Sequence, residues 1–117
     1  MGSSERGSTK PVAGTFFYIL LALADADRYG LDIAKEVERR TDGGVILGPG
    51  TLYNAVKKML ADGLIAETRP RVVPGADDPR RRYYRITDAG RDSLAVEAER
   101  LELLVQAARA KKILPAT

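Results

Sequence analysis

The sequence predicts a mostly helical α+β domain built from three helices, a two-stranded hairpin and one long terminal helix. Three observations predict it. Four segments carry apolar residues at three- and four-residue spacing, the period of a helix with one buried side. Between the third and fourth the period drops to two, at 64–69 and again at 83–86, as in half-buried strands. Pro74, Gly75, Asp77, Asp78 and Pro79 stand between those two runs, and all are turn formers.

With 117 residues, 44% of them hydrophobic, the chain can build one small core and is too short for two. The apolar stretch 16–24 stops at Asp25, well below the roughly 18 residues of a membrane span. A soluble, cytoplasmic protein without a membrane partner is expected. Cysteine and histidine are absent, which removes disulfides, thiolate and imidazole chemistry and the usual zinc ligands. No cofactor, metal or enzymatic activity is expected, and Asp77, Asp78, Glu97, Glu99 and Glu102 read as solvated carboxylates. The polar opening MGSSERGSTK lacks an apolar core, so 1–12 reads as a disordered arm or tag remnant. Residues 13–87 then form the body, 88–113 the terminal helix and 114–117 a tail.

The first helix, Thr15 to Ala24, is apolar on most sides through Phe16, Phe17, Ile19, Leu20, Leu21 and Leu23. So much apolar surface is hard to cover in a chain this short, so Phe16, Phe17 and Leu20 are candidates for a contact with a second subunit or for the intrachain core. The second helix runs from about Tyr29 to Thr41, with Tyr29, Ile33 and Val37 repeating every fourth residue and Gly43 and Gly44 closing it. Lys35, Glu36, Glu38, Arg39 and Arg40 are expected on its wet face.

The third helix, Pro49 to Asp62, is the most informative. Leu52, Val56 and Met59, with Ala55 and Leu60, form its inward stripe, while Thr51, Tyr53, Asn54, Lys57 and Lys58 point the other way. Pro49 suits the first helical position and Gly63 the end. A short glycine-bearing link joins the second helix to this one, making a helix-turn-helix. The hairpin after it, with Arg69 and Arg71 on one side and Arg80, Arg81 and Arg82 on the other, completes a winged helix-turn-helix. Tyr84 and Ile86 are expected in the core.

Thr87 caps the last helix, from Asp88 to about Ile113. Leu94, Ala98, Leu101, Val105 and Ala108 form a coiled-coil seam, which Leu104 widens. At about 26 residues it would reach roughly 39 Å, further than so small a body, so these residues are assigned to a homodimer contact.

Charge is distributed unevenly. Residues 49–85 hold eight basic side chains against four acidic ones, and the rest of the chain holds 11 against 12. The whole excess therefore lies on the third helix and hairpin, a footprint for a polyanion.

Four blocks, Tyr29-Gly30-Leu31-Asp32-Ile33, Pro49-Gly50-Thr51-Leu52-Tyr53, Asp62-Gly63-Leu64-Ile65 and Arg82-Tyr83-Tyr84-Arg85-Ile86-Thr87-Asp88-Ala89-Gly90, resemble the PadR family of bacterial transcriptional regulators. The likeness covers about residues 15–105 and matches the short branch with one C-terminal dimerisation helix. It implies a homodimeric repressor on double-stranded DNA, and for some members a small aromatic or drug-like effector. Such an effector would sit between the first and last helices near Phe16, Phe17, Leu20 and Leu101, where the same side chains could equally be plain packing. Two residues depart from the family pattern: Asn54 stands where many members have proline, and Gly48 where they have serine. Asn54 adds a side chain able to bond adenine in a bidentate fashion.

The expected interface comprises Thr51, Tyr53, Asn54, Lys57, Lys58, Arg69, Arg71, Arg80, Arg81 and Arg82. Thr51 and Tyr53 suit phosphate, Asn54 a base edge and the lysines either, and one arginine suits a narrow minor groove. Tyr53 could instead cover the core edge, and the lysines could be plain surface charge. The rival reading is a winged helix that docks proteins without binding an operator.

Overall fold

A computed structural model describes residues 14–69 and 81–116. Helix α1 spans Thr15–Leu23, strand β1 Arg28–Tyr29, helix α2 Gly30–Arg40, helix α3 Pro49–Ala61, strand β2 Ile65–Thr68, strand β3 Tyr83–Ile86 and helix α4 Asp88–Ala110. The expected arm, the turn at 74–79, Arg71 and Arg80 lie outside the described residues.

The helix-turn-helix and the hairpin strands form where the periodicity put them. The sheet has a third strand that the sequence reading did not include. β1 pairs antiparallel with β3, Arg28 opposite Tyr84 and Tyr29 opposite Tyr83, giving the order β1-β3-β2. On the other side β2 pairs with β3 in a register that sets Ile65 opposite Ile86. Both are buried and face the core built from Ile19, Leu20, Leu23, Ile33, Val37, Leu52, Val56 and Met59. Tyr84 packs half-buried against that core. Burial raises the pKa of its hydroxyl, and Glu67 adds to the effect.

Helix ends follow local chemistry. At the end of α2 Asp42 turns left-handed at φ 53°, and the expected Gly43 follows it at φ 79°. The Gly43 N–H donates to Glu38 O at 2.8 Å and the Asp42 N–H to Arg39 O at 3.2 Å, a Schellman closure that aspartate tolerates. Thr41 then bridges to the turn, donating to Val37 O at 2.8 Å and accepting from the Val45 N–H at 3.0 Å. Gly63, at φ 75°, closes α3 in the same way. Lys112, at φ 64°, ends α4 short of Ile113, with the Ile113 N–H donating to Ala108 O at 2.9 Å.

The cap on α4 is as the sequence reads. The Thr87 hydroxyl accepts from the Gly90 N–H at 3.1 Å and donates to Gly63 O at 2.6 Å. One threonine thus joins the end of α3 to the start of α4.

Two carboxylates expected in water are not there. Glu36 is 3% exposed, because it is three residues after Ile33 and shares that side of α2. It pairs with Arg39, with Arg40 at 2.8 Å and with Arg28 at 3.8 Å. Glu97 is 2% exposed, three residues after Leu94 on the seam of α4, and holds Arg100 at 2.6 Å. The hydrogen bond from Arg100 keeps its carboxyl below the usual range against the opposing pull of desolvation. Leu20, assigned to a subunit contact, is fully buried within its own chain and has no surface to offer a partner. Phe16 and Phe17 are half-buried.

Candidate nucleic-acid interface

The third helix divides its side chains cleanly. Leu52, Ala55, Val56 and Met59 are buried, and the core they join includes Leu20, Leu23 and Ile33. Thr51, Tyr53, Asn54, Lys57 and Lys58 are all exposed. Tyr53, at 67% exposure, does not cover the core edge. Gly48, the N-cap, has extended backbone and makes no side-chain cap bond, and Pro49 opens the first turn. The N-terminal N–H groups of α3 therefore have no capping side chain, and a phosphate oxygen can satisfy such groups. Lys58 stands 3.6 Å from Asp62, an exposed pair worth little against water.

Arg81 and Arg82 reach the same side by a different route. Arg69 follows the last residue of β2, and Arg81 and Arg82 precede the first residue of β3. Being outside the regular strand, the two neighbours take different partners. The Arg81 guanidinium lies 4.3 Å over the Tyr29 ring, while Arg82 is 3.7 Å from Glu67 on β2. Tyr29 meets Tyr83 edge to face with ring centres 5.4 Å apart. This aromatic pair, at the point where β1 joins β3, gives Arg81 a fixed support. Sequence reading missed it because a two-residue strand carries no periodicity.

The structure thus brings Tyr53, Lys57, Arg81 and Arg82 around one opening, with Leu31 beside them. Their chemistry suits a polyanion: three long cationic side chains and a phenol projecting from a helix and a sheet. No group of three or more potential metal ligands occurs among the described residues, and no described helix is long and apolar enough to cross a membrane.

The seam of α4 is mostly open. Ala98, Leu104 and Val105 are exposed, as is Leu103, while Leu94, Leu101 and Ala108 are half-buried. Nothing else in the described chain covers the outer half of this stripe.

A model described as the transcriptional regulator PadR-like family matches residues 19–96. Transcriptional regulator Rv3488 of Mycobacterium tuberculosis is 36% identical over 94 residues, covering 80% of this chain and 81% of that protein. The structure of a transcriptional regulator from Clostridium thermocellum is similar at a TM-score of 0.66 and 28% identity, over 94% of this chain and 97% of the other. PadR of Bacillus subtilis, solved in complex with operator DNA, shares the fold at a TM-score of 0.56 and 21% identity, over 68% of this chain and 44% of its own.

Proposed function

The chain belongs to the PadR-like family of transcriptional regulators, and from that premise we propose that it is a homodimeric repressor of a pseudo-palindromic operator. The observation that carries this reading is the division of α3, whose apolar flank is buried while Thr51, Tyr53, Asn54, Lys57 and Lys58 stand exposed, Tyr53 and Lys57 beside Arg81 and Arg82. A protein-docking surface would favour apolar or mixed-charge groups at these positions, so the cationic, donor-rich set favours the duplex.

In the dimer the two α3 helices enter successive major grooves about 34–36 Å apart. Asn54 reads a base edge, and Thr51, Tyr53 and the lysines hold phosphate or neighbouring bases. Arg69, Arg81 and Arg82 at the wing base contact the backbone or a narrow minor groove. The exposed apolar stripe of α4, with Leu103, Leu104 and Val105, packs against its copy. Phe16 and Phe17 lie at the edge of that contact, and a small hydrophobic effector bound there would release the operator.

Fluorescence anisotropy with the duplex upstream of its own gene, at two salt concentrations, tests the reading. Affinity should fall steeply with salt. Lys57→Ala should flatten the log–log slope by about one for each protomer, whereas Asn54→Ala should leave the slope and narrow the gap between operator and unrelated duplex. An unchanged affinity in both variants, or no duplex binding at low salt, would overturn the proposal.

A further inference from the structure

The apolar flank of α3 is not wholly used up by the core. Between it, the start of α2 and the β1–β3 edge lies a cavity of about 530 Å³, with Ala34, Leu52, Val56 and Leu60 among its lining. That size suits a drug-sized molecule. The mouth has a different chemistry. Lys57, Arg81 and Arg82 stand there, and Leu31 forms an apolar lip at 55% exposure. No carboxylate is among the described residues that line it. Arg82 on this rim makes an exposed pair with Glu67 at 3.7 Å, long and readily exchanged.

We infer that this cavity binds a small organic anion with an apolar body, and that ligand and DNA exclude each other. The second half rests on the operator reading above. The apolar body gains by leaving water against Ala34, Val56 and Leu60. Its carboxylate or sulfonate meets Lys57 and Arg81 in charge-assisted hydrogen bonds, and the stacking of Arg81 on Tyr29 holds one donor fork in place beforehand. A cation would be repelled, and a neutral ligand would gain nothing from the rim. Exclusion follows because Tyr53, Lys57, Arg81 and Arg82 line this mouth and are also the groups assigned to the duplex.

The probes are 8-anilinonaphthalene-1-sulfonate and its uncharged relative N-phenyl-1-naphthylamine, titrated by fluorescence into the full chain. The sulfonate should bind about tenfold tighter. The pair Lys57→Gln and Arg81→Gln should erase that preference. Ala34→Phe fills the floor and should abolish sulfonate binding while duplex affinity stays within about threefold. Should Ala34→Phe fail to fold by circular dichroism, Leu31→Gln on the open lip takes its place, with an expected several-fold loss.

Equal or tighter binding of the neutral probe would overturn the anion assignment, as would full sulfonate binding by folded Ala34→Phe or by Leu31→Gln. Duplex added to the wild type should release the probe, and a ternary complex would overturn exclusion. If no duplex binds at any salt, the operator reading fails while the probe preference still decides the cavity.

Discussion

Replacing Gly90 with alanine tests the joint between wing and terminal helix most directly. Gly90 is buried in the first turn of α4. A Cβ built there would lie 2.1 Å from the carbonyl oxygen of Leu64 and 2.9 Å from Cγ1 of Ile86. The isoleucine side chain can give way, but the Leu64 oxygen belongs to the backbone and already accepts the Thr87 N–H at 3.1 Å. Relief requires α4 to move by about an ångström, straining both that bond and the Thr87 cap. Overpacking of this kind costs about 1–3 kcal/mol, and a weakened hydrogen bond adds about 1 kcal/mol. The intrinsic preference of a helix for alanine returns about 0.5–1 kcal/mol.

The net is a destabilisation of about 2 kcal/mol, or a fall in Tm of roughly 8–16 °C for a domain of this size. Gly50, in the first turn of α3, supplies the contrast, since a Cβ there meets nothing within 4 Å. Gly50→Ala should hold or raise stability, by up to about 0.5 kcal/mol. Thermal melts of both variants at one protein concentration decide the matter. If Gly90→Ala melted at or above the wild type, α4 could not start against the Leu64 carbonyl.

Three further outcomes are expected. Glu36→Gln should destabilise by about 1–3 kcal/mol in urea titrations, because the buried side chain loses its ion pairs with Arg39, Arg40 and Arg28, of which, among the described residues, only Arg28 keeps another carboxylate, Asp32, at 3.2 Å. Glu97 has a lowered pKa, first through the hydrogen bond from Arg100. Its contribution is therefore full above the ordinary glutamate range and fades as pH falls through the depressed value. The Tm gap between wild type and Glu97→Gln should accordingly close in acid, and a gap that widened there would reverse the sign. Leu104→Asp with Val105→Asp should convert a dimer to monomers in light scattering while leaving the helical circular dichroism of the body in place, and an unchanged mass would remove α4 from the subunit contact.

Much of the fold was legible because its elements declare themselves locally. Pro49 and Gly63 bound α3, Thr87 caps α4, and the stripe Leu52, Val56 and Met59 is buried as its spacing requires. The exposed face of α3 was legible for the same reason, since whatever is not on that stripe must point away. What failed was information that lives in tertiary contacts. Glu36 and Glu97 were assigned to water by residue type, although Ile33 and Leu94 three positions earlier share their side of each helix. β1 was invisible because two residues cannot show a period of two, and it exists only through its pairing with Tyr83 and Tyr84. The lip at Leu31 and the cavity beneath it need α2, α3 and the sheet in their final places.

These illegible features are connected. Arg28 opens β1 and donates to Ala22 O at 2.7 Å, pinning the end of α1, while its guanidinium reaches Asp32 at 3.2 Å and Glu36 at 3.8 Å on α2. The next residue, Tyr29, pairs across to Tyr83 and lies under Arg81. A buried carboxylate on α2 is thereby linked, through one arginine and one tyrosine, to a cation at the mouth of the α3 cavity. Buried ion pairs are weak sources of net stability but strong constraints on arrangement. The role that fits this network is therefore positional: it sets the two-residue strand, and the strand sets the arginine. The contacts running from Glu36 to Arg81 thus tie the wing base to α2, the helix against which α3 packs.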